Sequence, residues 1–348
     1  MNNRPILGIT MGDVSGIGPE IAVKSLNREE VYAEARPVIV GNADIVKRTI
    51  RLLGLDLTLH VIDSISEAKF EHGTVDVYDV SDFKAEDIEY GKVSTLGGIS
   101  AYEAIEKVID LAMNDEIDGT ITGPLNKEAL NLAGYHFNGH TEIYAKLTGT
   151  KKYSMMLAHG DFRIVHISTH VSLRQACDLV KKERVFEVIQ IAQDACLSLG
   201  IEKPRIAVAG LNPHSGEGGL FGSEEIEEII PAIEIARKIG LNVEGPVPPD
   251  TVYSKAIGGQ YDIVVAMYHD QGHIPMKVVG FNMDKGTGKW KAVNGVNITL
   301  GLPIIRSSVD HGTAFDQAGK GTASEESMLN AISYGVNLAK ARNAAKKH

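Results

Sequence analysis

Short apolar runs alternate with longer segments of helical periodicity along almost the whole chain. The runs at 6–10, 38–41, 118–122, 163–167, 205–210 and 262–267 are rich in Ile, Val and Ala and predict strands with both faces buried. Between them, residues 19–26, 43–53, 98–114, 173–199 and 223–239 predict helices. Regular alternation of this kind implies βαβ units and a mainly parallel sheet, hence an α/β fold. A domain boundary is expected near Gly123-Pro124, with a return to the first domain before the C-terminal helix. Residues 1–123 with 308–348 then form one α/β domain and 124–307 the other.

Three of the apolar segments lead into a histidine. His170 follows Ile164-Val165-His166-Ile167-Ser168-Thr169, His214 follows Ile206-Ala207-Val208-Ala209-Gly210-Leu211-Asn212-Pro213, and His269 follows Ile263-Val264-Val265-Ala266-Met267-Tyr268. Parallel strands present ligand-binding groups at their carboxyl ends. Imidazoles delivered together to one sheet edge can hold a divalent cation and leave positions open for substrate. A single strand-end histidine is more often structural; the repeated context is what favours a metal.

Length and charge narrow the choice of partner. A chain of 348 residues has room for one large domain or two of medium size. Its formal charge of -10 argues against a nucleic acid or an anionic membrane, though not against a small acid, which responds to local charge. No apolar run approaches the roughly 18–20 residues that span a bilayer, and Met1-Asn2-Asn3-Arg4-Pro5 opens no signal sequence, so a cytoplasmic protein is expected. Cys177 and Cys196 lie in helical patterns and read as two buried thiols rather than a disulfide.

Several polar, glycine-containing stretches could carry chemistry. Gly12-Asp13-Val14-Ser15-Gly16-Ile17-Gly18-Pro19-Glu20 joins the first strand to a helix, whose free N–H groups attract an anion. The same turn reads equally well as structural, because it lacks the dinucleotide fingerprint spacing. Gly139-His140-Thr141-Glu142 opens a helix where a hydroxyl and an imidazole can reach a phosphate or carboxylate, or where Thr141 is merely a cap. The Asn212 to Gly219 turn presents His214, and its cost in chain entropy favours a functional reason. In His269-Asp270-Gln271-Gly272-His273 the spacing of the histidines superficially matches a zinc-protease helix, but Gly272 and Pro275 weigh against a helix there. His269 and Asp270 remain site candidates, with His273 a neighbour. Lys277, Asn297 and Arg306 together would suit phosphate and carboxylate groups, and otherwise read as solvated surface. The segment between Lys277 and Asn297 holds the only tryptophan, Trp290, and reads as a long functional loop or an exposed hairpin. His311-Gly312-Thr313-Ala314 either wraps a nucleotide base or is a plain connection.

Taken together, these motifs resemble the 4-hydroxythreonine-4-phosphate dehydrogenase family. The resemblance runs through Met11-Gly12-Asp13 to Pro19-Glu20, Gly139-His140-Thr141-Glu142, Thr169-His170, Leu211-Asn212-Pro213-His214 to Gly218-Gly219, Tyr268-His269-Asp270-Gln271-Gly272, Asn297-Ile298-Thr299-Leu300-Gly301-Leu302-Pro303 and Ser308-Val309-Asp310-His311-Gly312-Thr313-Ala314. It implies an isocitrate/isopropylmalate dehydrogenase-like fold, two α/β domains with a cleft between them, and a homodimer with its active site at the subunit interface. It further implies NAD, with Gly12 and the His311-Gly312-Thr313-Ala314 loop on the nucleotide side. A divalent metal (zinc, manganese, cobalt or magnesium) is implied on His170, His214 and His269, drawn from both subunits. Substrate binding is implied for His140, Thr141, Lys277, Asn297 and Arg306, with Asp250 and Asp270 nearby. Lys277 assisted by Asp270 is the implied proton-transfer pair, although a lysine held against phosphate fits as well.

The longer connection between Lys277 and Asn297, and His273-Ile274-Pro275, depart from the vitamin B6 branch of that family. Both resemble the branch that oxidises D-threonate or D-erythronate 4-phosphate. The expected reaction is NAD-dependent oxidation of the hydroxyl β to the carboxylate, then loss of CO2 to give dihydroxyacetone phosphate. The alternative is 4-hydroxythreonine-4-phosphate dehydrogenation in pyridoxal phosphate formation. A metal-dependent aldolase and a non-catalytic phospho-acid sensor are more distant readings.

Overall fold

The computed structural model describes residues 4–283, 285–286, 290–293 and 295–346. Chain contacts divide it into two compact units, Met1–Thr150 with Leu302–His348, and Lys151–Gly301. Numbering strands along the whole chain, the first unit holds β1 (Ile6–Thr10), β2 (Arg36–Gly41), β3 (Thr58–Ile62), β4 (Thr74–Asp79), β5 (Gly119–Thr122) and β14 (Arg306–Val309). They are ordered β3-β4-β2-β1-β5-β14, every pair parallel. The second unit holds β6 (Ser154–His159), β7 (Phe162–His166), β8 (Ile206–Ala209), β9 (Val243–Val247), β10 (Ile263–Ala266) and β13 (Val296–Leu300), ordered β13-β6-β7-β10-β8-β9. Here β7, β10, β8 and β9 run parallel, and β6 is antiparallel to both its neighbours. The expected α/β architecture is therefore present in each unit.

The central strands are the predicted apolar runs. Every residue of β7, β8 and β10 is buried, as strands covered on both faces must be. The segment between Lys277 and Asn297 contains an antiparallel pair, β11 (Phe281–Met283) and β12 (Trp290–Val293), which accords with the hairpin reading. The cysteines are free thiols, Cys196 buried and Cys177 half-buried. No helix among the described residues is long and apolar enough to cross a membrane.

Three expectations are corrected by the structure. The helix predicted over 173–199 is two helices, Leu173–Leu179 and Lys182–Ser198. Glu228 accepts the Lys182 N–H at 2.7 Å and pairs with the Lys181 ammonium at 2.9 Å, so a carboxylate from another segment restarts the helix. The 269–273 motif lies in a helix after all, His269–Gly280. Pro275 removes only one donor, while Met276, Gln271 and Gly272 are buried against the sheet. A Cβ on Gly272 would fall 2.3 Å from His166 Nε2, so glycine is what lets this helix lie so close to β7. The unit boundaries also differ from those expected: residues 124–150 and 302–307 lie with the first unit. Their packing explains it, since Ile143, Tyr144 and Ile304 join the core of Val108, Ile117 and Leu130, and the Tyr144 hydroxyl donates to Thr120 Oγ1 at 3.0 Å.

That packing depends on Gly98 in the helix Thr95–Met113, where a Cβ would meet the Ala129 carbonyl oxygen at 2.1 Å. Gly98→Ala gains about 1 kcal/mol of helix propensity but forces backbone apart, at about 1–3 kcal/mol or more. Net destabilisation in urea unfolding is expected. A variant as stable as the parent would contradict this close approach.

Candidate functional site

In the second unit β10 lies between β7 and β8, with Val264 opposite both Ile164 and Ala207, and Val265 opposite both Val165 and Val208. Parallel strands in such register, each about 4.8 Å from the next, end side by side. The chain leaving β7 carries His170, that leaving β8 enters the turn Pro213–Gly219 with His214, and that leaving β10 opens the helix His269–Gly280. Asp250 follows β9, the next strand along, and is exposed on the turn before the helix Val252–Ile257. All the expected metal ligands thus leave one sheet edge.

The rings of His170 and His269 are 5.7 Å apart at their centroids. His269 Nδ1 lies 2.7 Å from Asp270 Oδ1, which leaves Nε2 for a cation, the carboxylate–imidazole arrangement that metal sites use. Imidazole nitrogens so oriented fit a borderline divalent ion. Within one chain, however, no group of three or more His, Cys, Asp or Glu side chains that could hold a metal occurs among the described residues. The donor chemistry fits the metal, while within the one chain the third imidazole does not join the pair. The His214 turn is itself unusual. His214, Ser215, Gly216, Glu217 and Gly218 have φ of 52°, 54°, 80°, 44° and 65°. For non-glycine residues this conformation costs on the order of 1–2 kcal/mol each, so surrounding contacts must impose it.

One face of the helix His269–Gly280 carries His269, His273 and Lys277 at successive four-residue steps. The His273 ring stacks on His269 at 3.6 Å and 9°, and its Nδ1 donates to the His269 carbonyl at 2.9 Å. Beneath them lies His166, 4.9 Å from His273 and donating through Nδ1 to the Met155 carbonyl at 3.1 Å. Burial pushes His166 down to about 4 and His273 down to about 3, so both are neutral near pH 7. The Lys277 ammonium sits 4.1 Å from the centre of the Phe281 ring. Asn297, on β13, donates to Met155 Sδ at 2.8 Å, and its buried Oδ1 has no hydrogen-bond partner. Sequence reasoning left His273 as a neighbour and passed over His166; once the motif is helical, the four-residue spacing is the signal that joins His273 to His269.

The first unit assembles a second group. Arg306 opens β14 and is buried; Nε and Nη2 lie 3.3 and 3.2 Å from Thr122 Oγ1, and Nη1 lies 3.5 Å from Thr141 Oγ1. Burial pulls the guanidinium down to about 10, against the opposing pull of Tyr144 and Glu142, so it stays cationic at neutral pH. His140 opens the helix His140–Leu147, and burial, then the nearby Arg306 charge, hold its imidazole well below the usual range. Its Nε2 is buried with no hydrogen-bond partner. A cation, hydroxyls and a helix N-terminus together suit an oxyanion.

The Gly12–Pro19 turn and the His311–Ala314 loop also meet. Ile17 N–H donates to the Thr313 carbonyl at 3.0 Å, and a Cβ on Gly16 would approach the same oxygen to 2.7 Å. Gly12 has φ 70°, and its Cβ would fall 2.0 Å from the Pro124 carbonyl oxygen, so chain packing already explains this glycine. Above Gly312 the space is open. Asp13, which sequence reasoning noted only as part of the motif, is fully buried; Oδ1 accepts the Ser15 N–H at 2.9 Å and Oδ2 has no hydrogen-bond partner.

Comparison with known proteins shows the family. Residues 33–335 match the family model described as pyridoxal phosphate biosynthetic protein PdxA. A protein of Cupriavidus necator named D-threonate 4-phosphate dehydrogenase is 47% identical over 339 residues, 97% of this chain and 98% of that one. Solved structures titled 4-hydroxythreonine-4-phosphate dehydrogenase are also similar. The one from Klebsiella pneumoniae has a TM-score of 0.84 at 44% identity, covering 96% of this chain and 99% of that one. The one from Burkholderia phymatum has a TM-score of 0.82 at 44% identity, covering 96% and 98%.

Burial raises the Asp13 carboxyl from 3.8 to about 6, partly opposed by the hydrogen bond it accepts from the Ser15 N–H. The folded protein therefore binds this proton more tightly than the unfolded chain, and stability falls as pH rises from about 4 to about 6. Asp13→Asn is expected to remove that slope and to stabilise the protein above pH 6 by at most about 3 kcal/mol, converging with the parent below pH 4. Urea midpoints measured at pH 4, 6 and 8 check this; parallel curves for parent and variant would contradict it.

Proposed function

Because the chain belongs to the PdxA family, and with it to the NAD-dependent dehydrogenases, we propose that it oxidises and decarboxylates a four-carbon 4-phospho-hydroxyacid. The substrate in this reading is D-threonate or D-erythronate 4-phosphate, and the products are dihydroxyacetone phosphate and CO2. The observation that carries it is the His170–His269 pair, with His269 oriented by Asp270, at the strand edge that His214 shares. The family reading leaves the aldolase and sensor alternatives without support. It also brings the isocitrate/isopropylmalate dehydrogenase-like assignment of the fold.

In this mechanism the hydroxyl β to the carboxylate gives up a hydride and a proton, and the resulting β-keto acid loses CO2. NAD would supply the hydride acceptor, and His170, His214 and His269 would hold a divalent metal whose chemistry would be electron withdrawal that eases the loss of CO2. His140, Thr141 and Arg306 hold an oxyanion of the substrate through the buried guanidinium and the helix N-terminus. Asn297 supplies its buried amide, and Asp250 lies nearby. Lys277, acting in this step as the neutral amine and assisted by Asp270, takes the hydroxyl proton and returns it to the carbon that carried the carboxylate. Gly12 and the His311–Ala314 ledge lie on the nucleotide side.

The proposed homodimer supplies what one chain lacks. Ile274 and Val278, 60% and 74% exposed, lie four residues apart on the helix that carries His269, and Leu220, 73% exposed, follows the His214 turn. A second copy covering these apolar residues would deliver the missing imidazole beside the pair.

Substrate choice turns on the carbon next to the carboxylate. An amine there is cationic and seeks a carboxylate or carbonyl, whereas a hydroxyl both donates and accepts. A site built for one polar group can reject the other by about 10⁴-fold. His273 and the β11–β12 hairpin depart from the biosynthetic branch, and the curated relative named above carries the D-threonate 4-phosphate name. The 44% identical structures titled for 4-hydroxythreonine 4-phosphate keep that substrate as the second reading. NADH formation with D-threonate, D-erythronate and 4-hydroxythreonine 4-phosphates decides between them. Higher kcat/KM for either hydroxy acid is expected, and a higher value for the amine substrate would overturn the branch assignment.

Replacing His170, His214 or His269 by Ala is expected to lower metal-dependent kcat by more than about 100-fold, beyond the range typical of outer-shell changes. Circular dichroism should show the fold intact. Wild-type turnover in any of the variants would remove that residue from the metal set.

A further inference from the structure

Glu225 lies on a π-helical turn, Glu225–Ile229, and is 1% exposed. Its Oε1 accepts the backbone N–H groups of Leu211 and Asn212, both at 2.8 Å, and its Oε2 accepts Asn212 Nδ2 at 2.9 Å. These residues lead directly into the left-handed run that carries His214. Oε2 also lies over Gly216, where a Cβ would come within 2.8 Å. Gln271 reaches the same segment from the other side. Its Nε2 donates to the Gly210 carbonyl at 2.8 Å, and its Oε1 accepts the Met267 N–H at 2.6 Å. Gly210 is the first residue past β8 and Met267 the first past β10. One buried amide therefore ties together the two strand ends that lead to His214 and His269.

A buried carboxylate must be compensated by donors, and these three donors all come from two residues next to the His214 turn. Irregular π-helical turns recur at functional sites, where they re-aim a side chain. A loop staple of purely structural use would not need to join the ends of two different ligand-bearing strands.

We propose that Glu225 and Gln271 are positioning residues that fix, in each chain, the turn presenting His214 and the strand end leading to His269, each for the metal site it enters, before metal or substrate binds. The inference rests on the reading of these histidines as metal ligands, so its test begins with metal-free protein. Hydrogen–deuterium exchange is followed at residues 210–219 and at Met267, with the first-unit helix Thr95–Met113 as the control for general loosening. Glu225→Ala strands buried donors and is expected to speed exchange at Leu211 and Asn212 about tenfold or more, with the control helix unchanged. Glu225→Gln keeps an acceptor for both N–H groups and should recover most of the protection. Gln271→Met keeps the shape without the amide and is expected to speed exchange at Met267. Cobalt(II) titration follows. Glu225→Ala and Gln271→Met are expected to bind it about tenfold or more weakly and to lose kcat, while KM for NAD stays put. Wild-type exchange in both variants overturns the proposal, as does loosened exchange with unchanged cobalt affinity. Should Glu225→Ala fail to fold, Gln271→Met decides. A parent protein that binds no cobalt would overturn the metal reading, and the exchange data would still decide whether the two residues hold the turn.

Discussion

Parallel pairing of β7, β10 and β8 is the constraint on which the rest of the second unit depends. Each strand is buried throughout, so it cannot slip by one residue without exchanging the neighbours on its two faces. With register fixed, the three strand ends open at one edge, and the segments that leave them inherit neighbouring positions. The helix after β10 then lies flat on β7 because Gly272 leaves room for His166. This sets the His269 ring 5.7 Å from His170 and stacks His273 beneath it. The site geometry is a consequence of the sheet.

Electrostatics divides the chemistry between the units. The histidines around the second unit's strand edge include two, His166 and His273, that burial keeps neutral, which spares His269 a fixed positive charge at its side. The first unit does the opposite, burying a guanidinium among hydroxyls at the start of a helix. A set of imidazole nitrogens favours a metal cation, and a buried guanidinium favours a phosphate or carboxylate.

Much of this was legible in the sequence. Apolar runs ending at His170, His214 and His269 marked the sheet edge, since central parallel strands need continuous burial. The resemblance grouped His140, Thr141 and Arg306 as expected substrate residues, and the structure does bring them together. What failed is instructive. Gly272 and Pro275 oppose a helix by local propensity, yet packing against β7 outweighs it, and the sequence offers no measure of that packing. Glu228 breaks the 173–199 helix from 46 residues away, at Lys182. Glu225 and Gln271 were invisible for the same reason: an acid in a charged helical segment and an amide between Asp270 and Gly272 show what they hold only when their hydrogen-bond partners are placed.

The central claim is that the strand-edge histidines form one metal centre completed by a second copy of the chain. Mixing subunits tests it directly. His214→Ala and His269→Ala proteins, each inactive alone, are unfolded, mixed and refolded so that hybrid dimers form. If His214 of one subunit joins the His170–His269 pair of the other, each hybrid has one intact site, and the mixture should recover roughly a quarter of the wild-type rate of NAD reduction, with half the dimers hybrid and one site in two restored. Hybrid dimers confirmed by native mass spectrometry but without activity would contradict a shared site.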